Sequence, residues 1–469
     1  MKTNLKKYIA MPNTLVLIFS IMIVVMVSTW IIPGGEFDRV EKDGRNVLVA
    51  DSYRQTEHVP QGIDDLFISP LKGFMAAAEI IAFVLIVGGA FTILQKSGAV
   101  DSLIGQIIKL QNNRPFIQKL IIPVFMIMFS FFGSVFGMSE EVIPFILIFV
   151  PLAVSLGYDS IVGVAVPFIG AGVGFASAFV NPFTLGIAQS IAELEPLSGV
   201  FYRILCWIVF TLISIAFIMV YANRIKRNPA KSLLFESDEF WRSAMKKESG
   251  NNENHFSIRH KLILITFLLT IMILIAGVWF YKWYIPEIAA LFLGMSVLTG
   301  LISRLRINEL SVEFVKGAAD FMNVAFIIAL ARSILILASD GRIMDTILFY
   351  LSELIGGTSP VITAQLMFVV QSVINIFIPS GSGQAVLIMP IMSPLSDLLG
   401  VTRQTAVLAF QFGDGLTNLI IPTSGVTMGV LGLARIPYEK WFHWIWPLMI
   451  LLFLTGFILL IPPVLFNWS

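Results

Sequence analysis

Charge is what this sequence has least of. Only 13% of its 469 residues are Asp, Glu, Lys or Arg, against about 25% in a typical soluble domain. Charge that sparse cannot cover the surface of a water-soluble protein of this length. Cysteine is limited to Cys206, which excludes an intramolecular disulfide and any cysteine-based zinc spacing. The four histidines, His58, His255, His260 and His443, stand apart without metal-ligand spacing. No GxxxxGK[ST] phosphate loop occurs, which argues against ATP-driven pumping. Gly381-Ser382-Gly383 lacks the strand–turn–helix setting and partner histidine of a nucleophile elbow. Nothing therefore points to an enzyme, a resident metal or a cofactor. The net charge of +1 comes without the basic balance that nucleic-acid binding requires.

What is present is apolar. Hydrophobic residues make up 57% of the chain and the mean hydropathy is +0.86, which excludes a disordered chain and predicts an all-α polytopic membrane protein. Met1 to Lys7 is basic, but the run Leu15 to Ile32 is long enough to span a bilayer, which needs about 20 residues. No small-residue cleavage site follows it, so it reads as a first transmembrane helix rather than a removable signal. Further spans read at about 74–95, 117–135, 139–156, 160–180, 201–221, 262–281, 286–303, 317–338, 361–378, 384–399, 404–420 and 441–463. Several are short for a full crossing, which points to hairpins or broken helices.

Loop charge predicts orientation through the positive-inside rule. The N-terminus (Lys2, Lys6, Lys7) and the loop 223–261 (Arg224, Lys226, Arg227, Lys231, Lys246, Lys247, Arg259, Lys261) are basic and expected on the cytoplasmic side. Residues 33–72 are acidic on balance and expected outside, either as a small ordered cap or as a floppy loop. The two halves resemble each other. Gly137–Gly157 laid on Ser380–Gly400 matches at Ser139/Ser382, Pro151/Pro394 and Gly157/Gly400. Gly170 and Gly172 then fall on Gly413 and Gly415, and Lys72-Gly73 on Lys316-Gly317. The loops after the matching helices carry opposite charge: Lys96, Lys109, Arg114 and Lys119 against Asp340, Asp345 and Glu353. Two inverted repeats follow, 1–222 and 262–469, joined by the linker 223–261. That arrangement marks secondary transporters, with the site near the midplane at the repeat interface.

Each repeat has two helix-breaking places inside apolar sequence. The first pair is Gly137-Met138-Ser139-Glu140-Glu141 and Pro379-Ser380-Gly381-Ser382-Gly383-Gln384, which suit re-entrant hairpins whose tips present helix N-termini to carboxylate. Ser139 capping a helix with Glu140 and Glu141 in its first turn is the structural alternative, although adjacent carboxylates in apolar sequence are costly. The second pair is Asn181-Pro182 and Ile421-Pro422-Thr423-Ser424-Gly425, where freed carbonyls offer cation ligands; a plain kinked helix is the alternative. Asp414 and Asn418 share a helix face one turn before the second break. An intramembrane carboxylate such as Asp414 is a functional candidate by default, unless a cation such as Arg332 pairs with it. Arg332 has three readings of its own: a fork for a substrate carboxylate, an ion pair with Glu79 or Asp320, or snorkelling to the outer face. The substrate candidates are thus Ser139, Glu140, Glu141, Asn181, Ser380, Gly381, Ser382, Gly383, Gln384, Asp414, Asn418, Thr423 and Ser424. Gly137, Glu140, Asp414 and Pro422 are the coupling-cation candidates. An ion channel would need a continuous pore lined by charge or carbonyls, which two broken-helix units around one site do not suggest.

Val135-Phe136-Gly137-Met138-Ser139-Glu140-Glu141, Gly157-Tyr158-Asp159-Ser160-Ile161, Asn181-Pro182-Phe183, Tyr221-Ala222-Asn223-Arg224, Ile285-Pro286-Glu287-Ile288-Ala289, Ser380-Gly381-Ser382-Gly383-Gln384-Ala385, Ala409-Phe410-Gln411-Phe412-Gly413-Asp414-Gly415 and Ile421-Pro422-Thr423-Ser424 are similar to strings of the YfcC family. That family belongs to the ion-transporter superfamily, beside the anaerobic C4-dicarboxylate carriers and arginine/ornithine antiporters. The resemblance implies a scaffold and a transport domain, a homodimer, elevator-type alternating access in a bacterial-type cytoplasmic membrane, and hairpin tips that clasp a small-molecule substrate. Dicarboxylate relatives carry Ser-Asn-Thr at those tips, where this chain has Ser139-Glu140-Glu141 and Ser380-Gly381-Ser382. The added carboxylates would repel a dicarboxylate and favour a cationic or zwitterionic amino acid, its ammonium at Glu140, Glu141 or Asp414 and its carboxylate at Ser380–Gly383. Alternatively the acids bind coupling Na⁺ or H⁺ and the substrate is a neutral or anionic metabolite.

Overall fold

The computed structural model describes residues 14–42, 45–49, 52–100, 102–103, 106, 115–181, 183–195, 197–243, 257–281, 283, 285–353 and 358–468. Lys2, Lys6, Lys7, Lys109, Arg114, Pro182, Lys246 and Lys247 lie outside them. Apolar chain in lipid must bond its own backbone, which leaves the helix as the economical solution, and the fold is accordingly helical. In chain order the helices are α1 (Thr14–Ile31), α2 (Ile63–Ala76), α3 (Ala78–Lys96), α4 (Pro115–Phe136), α5 (Ile143–Ser155), α6 (Ser160–Ala176), α7 (Leu185–Ile191), α8 (Val200–Arg227), α9 (Ile258–Tyr281) and α10 (Ile285–Ile302). There follow α11 (Ile307–Asp320), α12 (Met322–Asp340), α13 (Met344–Glu353), α14 (Pro360–Phe377), α15 (Gly381–Leu398), α16 (Arg403–Thr417), α17 (Gly425–Ala434), α18 (Tyr438–Leu459) and α19 (Ile461–Leu465). Among the described residues α3, α8, α10, α12, α14 and the α18–α19 stretch are long and apolar enough to cross a membrane.

The expected spans each contain a helix, but four of their edges move. The run read at 74–95 breaks at Ala77, and the run read at 317–338 breaks at Phe321. Ahead of each break lies a separate amphipathic helix: α2 carries Asp64, Asp65 and Lys72, and α11 carries Glu309, Glu313 and Lys316. Charge on one face keeps these helices from continuing as simple lipid-facing spans. They pack crosswise instead, α2 on α12 and α11 on α3. A Cβ on Gly73 would run into the Ala329 carbonyl and Ser333 Oγ, and one on Gly317 into Thr92 Oγ1 and the Gly88 carbonyl, so the missing side chains permit both contacts. The run read at 139–156 becomes helical only at Ile143, and the run read at 160–180 stops at Ala176.

Polar contacts gather at two ends of the bundle. At one, the segment after α1 is an ordered cap rather than a floppy loop. Gly35–Glu36 pairs with Arg54–Gln55 and Arg39–Lys42 with Arg45–Leu48. The cap is pinned to α13: Asp345 accepts the Phe37 N–H at 2.9 Å and the Arg39 guanidinium at 2.8 Å, and Tyr53 stacks on Phe349. Arg403 joins Glu193 and Asp397 at the same end. At the other, Lys96 reaches Glu313 at 2.9 Å and Asp238 binds the first turn of α6 through Ser160 N–H and Oγ. Packing also ties the chain across its halves. α1, α2 and α3 contact α10, α11 and α12, while α6 contacts α16 and α17. Matching positions repeat their local form: Gly157 and Gly400 both have positive φ. Each precedes a helix whose N-cap, Asp159 or Thr402, accepts from the N–H three residues on.

Candidate functional site

Two chain reversals and two helix breaks meet inside the bundle. α4 ends where Gly137 turns at φ +72°, a conformation that favours glycine. A Cβ there would lie 2.6 Å from Asn181 Oδ1. One 3-10 turn, Glu140–Val142, then leads into α5. Ser139 makes no side-chain cap on this turn. Glu141 does the capping instead, accepting the Ser139 N–H at 2.9 Å, so the structural role offered to Ser139 passes to a carboxylate. At the other reversal Ser380 caps α15 by accepting the Gly383 N–H at 3.4 Å. The positive end of an 18-residue helix is thereby aimed at the same place.

The breaks flank these tips. After α6 the buried Asn181 accepts from Phe183 and Thr184 N–H through Oδ1, which turns the chain toward α7. After α16 the chain is irregular to Ser424, whose hydroxyl caps α17 from Thr427 N–H at 3.3 Å. The two broken helices touch: a Cβ on Gly415 would collide with Ala176, and one on Gly172 with Leu419.

A cavity of about 490 Å³ lies at the junction. Gly137, Ser139, Glu140, Glu141, Ser380, Gly381, Ser382, Asn418, Thr423 and Ser424 all line it, so both reversals and the break after α16 border one space. Asn181, Gly383, Gln384, Asp414 and Pro422 do not line it. Gln384 is fully buried and donates to Gln371, to its carbonyl at 3.0 Å and to Oε1 at 2.8 Å. Asp414 is also fully buried, directly behind the α15 tip: a Cβ added to Gly381 would sit 2.8 Å from Asp414 Oδ2. Its Oδ1 accepts from Asn418 Nδ2 at 3.3 Å, as the shared helix face predicts. Asn375 Nδ2 ties the same turn together through the Asp414 carbonyl and Thr417 Oγ1. Oδ2 has no partner among the described residues, and the ion pair with Arg332 that would have made Asp414 structural is absent.

Arg332 lines the cavity from α12, and Glu79 lines it from the first turn of α3. Neither ion pair expected for Arg332, with Glu79 or with Asp320, forms among the described residues. Among the described residues the wall therefore carries three carboxylates (Glu79, Glu140, Glu141) and one guanidinium. The remaining wall includes Phe136, Phe175, Phe183, Trp283 and Thr184. These were not anticipated, although Thr184 is tied to the site by Gln411 Nε2 at 3.1 Å. The glutamines and asparagines set in apolar helices, Gln371, Asn375 and Gln411, were the available signal.

The profile of the DcuC family, described as a C4-dicarboxylate anaerobic carrier, matches residues 11–464. The chain is 36% identical over 98% of its length, and 97% of the relative's, to an Escherichia coli K12 protein provisionally named basic amino acid antiporter YfcC. It is 28% identical to an uncharacterized Haemophilus influenzae protein, again over 98% of both chains. Among solved structures, the Alcanivorax borkumensis YdaH transporter matches at 15% identity and TM-score 0.44, over 97% of this chain and 99% of its own. The Neisseria gonorrhoeae antimetabolite efflux pump MtrF matches at 18% identity and TM-score 0.45, over 96% and 95%. The chain belongs to the DcuC family and, within it, is a membrane transporter of the YfcC type.

Proposed function

We propose that this transporter moves a small basic amino acid across the cytoplasmic membrane by exchange or by Na⁺ or H⁺ coupling. The observation that carries the reading is the cavity wall itself, where Glu140 and Glu141 on one tip face a common space with Ser380–Ser382 on the other. Carboxylates at membrane depth are expensive, and a cationic substrate offsets that cost. Two features of the same wall can receive a carboxylate, the α15 N-terminus and the Arg332 guanidinium. The name of the E. coli relative points the same way. The repeat arrangement is supported by the crosswise packing of α2 and α11 and by the paired turns at Gly157 and Gly400. Tips that enter from opposite ends fit elevator-type alternating access, in a homodimer with the N-terminus and linker 223–261 cytoplasmic.

A second reading takes the family description at its word: a carboxylate metabolite is the cargo, Arg332 attracts it, and the acids take the coupling cation. A thermal-shift screen of the purified protein against basic amino acids and C4-dicarboxylates, with and without Na⁺, separates the two. A ligand that binds only the native state raises stability by RT ln(1 + [L]/Kd). Stabilisation by lysine, arginine or ornithine supports the first reading. Stabilisation by dicarboxylates alone, dependent on Na⁺, replaces it with the second.

A further inference from the structure

Among the described residues, Arg332 is the one positive side chain on a cavity wall that otherwise carries Glu79, Glu140 and Glu141. It projects from the middle of α12, a helix apolar enough to cross a membrane, where an ionised side chain normally finds a partner. Among the described residues it makes neither an ion pair nor a hydrogen bond, although three carboxylates border the same space. A guanidinium left free at that depth is an anion receptor, able to grip a carboxylate through two parallel N–H groups. The α15 tip is the rival carboxylate site, but it already has Asp414 Oδ2 behind Gly381. That carboxyl oxygen, fully buried against the tip, already fills the space that the helix end turns toward.

We infer that Arg332 is the anchor for the α-carboxylate of the substrate, while the carboxylates that line the same cavity take its amino groups. The inference deepens the basic amino-acid reading and rests on it. A ligand with one carboxylate and two cationic groups matches this wall; a diamine leaves Arg332 bare, and a dicarboxylate leaves the acids bare. Because Arg332 stands on α12 and Glu140 and Glu141 on the turn before α5, the ligand bridges two separate elements.

The test compares lysine with 1,5-diaminopentane, the same skeleton without the carboxylate, by calorimetric titration of the purified full-length protein. Wild-type protein binds lysine more tightly than the diamine. Arg332→Gln weakens lysine roughly 10- to 100-fold, the range of a charge-assisted hydrogen-bonded group, and leaves the diamine within about threefold. Arg332→Lys, which keeps the charge without the fork, retains part of the preference. Retained diamine binding certifies that the variant is folded. Wild-type protein that binds neither ligand overturns the basic amino-acid reading itself. Lysine binding with the wild-type preference preserved in Arg332→Gln, or equal weakening of both ligands, overturns the anchor alone.

Discussion

Two acidic residues at the site differ in where they sit. Glu140 lines the cavity, where the proposed function has it meet the substrate or its coupling ion. Asp414 lies behind Gly381, fully buried, with Oδ2 unpartnered among the described residues and Oδ1 on Asn418, so the proposed function gives it a part only through the α15 tip. Glu140→Gln and Asp414→Asn should each abolish uptake while the purified variants elute as the wild type does. Wild-type uptake by both would remove these residues from the mechanism. Charge at membrane depth made both legible in the sequence, because its cost demands a reason. The sequence could not tell which of them faces the cavity. That depends on how the α15 tip seats against α16, a tertiary contact that spacing within one helix does not encode. Arg332 was ambiguous for the same reason: neither Glu79 nor Asp320, its candidate partners in the sequence, pairs with it in the fold.

At the scale of elements, the apolar runs located the membrane helices and the proline- and glycine-rich strings located the breaks between them. The break at Ala77 escaped notice because Ala76-Ala77-Ala78 is strong helix-forming sequence, and only the crosswise packing of α2 onto α12 interrupts it. That packing makes a prediction. Gly73→Ala and Gly317→Ala should each destabilise the protein by about 1–3 kcal/mol through overpacking, seen as a lower melting temperature. Gly294→Ala, in α10 with open space around it, should not. At the start of α6, burial pushes the Asp238 carboxyl above the usual carboxylate range, against the opposing hydrogen bonds from Ser160. A carboxyl that holds its proton more tightly when folded contributes stability at low pH, and that contribution fades as pH rises through the folded value. Asp238→Asn should therefore cost more melting temperature at pH 4.5 than at pH 7.5. An equal cost at both would remove that titration from the stability of the fold.

For the whole molecule, the interleaving of the two halves explains how one site is made from distant sequence. The tip 137–141 belongs to the first half and the tip 379–382 to the second, yet both face one cavity closed by α3 and α12. Chain order alone suggested the pairing of tips through the repeat, and a place for Arg332 at the site as one of three readings, but not that α3 would supply Glu79 to the wall. The account stands on that shared cavity being the transport site of a carrier for basic amino acids. Counterflow of radiolabelled lysine into proteoliposomes preloaded with unlabelled lysine, arginine, ornithine or a C4-dicarboxylate tests it most directly. The account predicts saturable accumulation driven by the basic amino acids, and none in proteoliposomes carrying Glu140→Gln. Flux that rises linearly with concentration, or accumulation driven by the dicarboxylate alone, would contradict it.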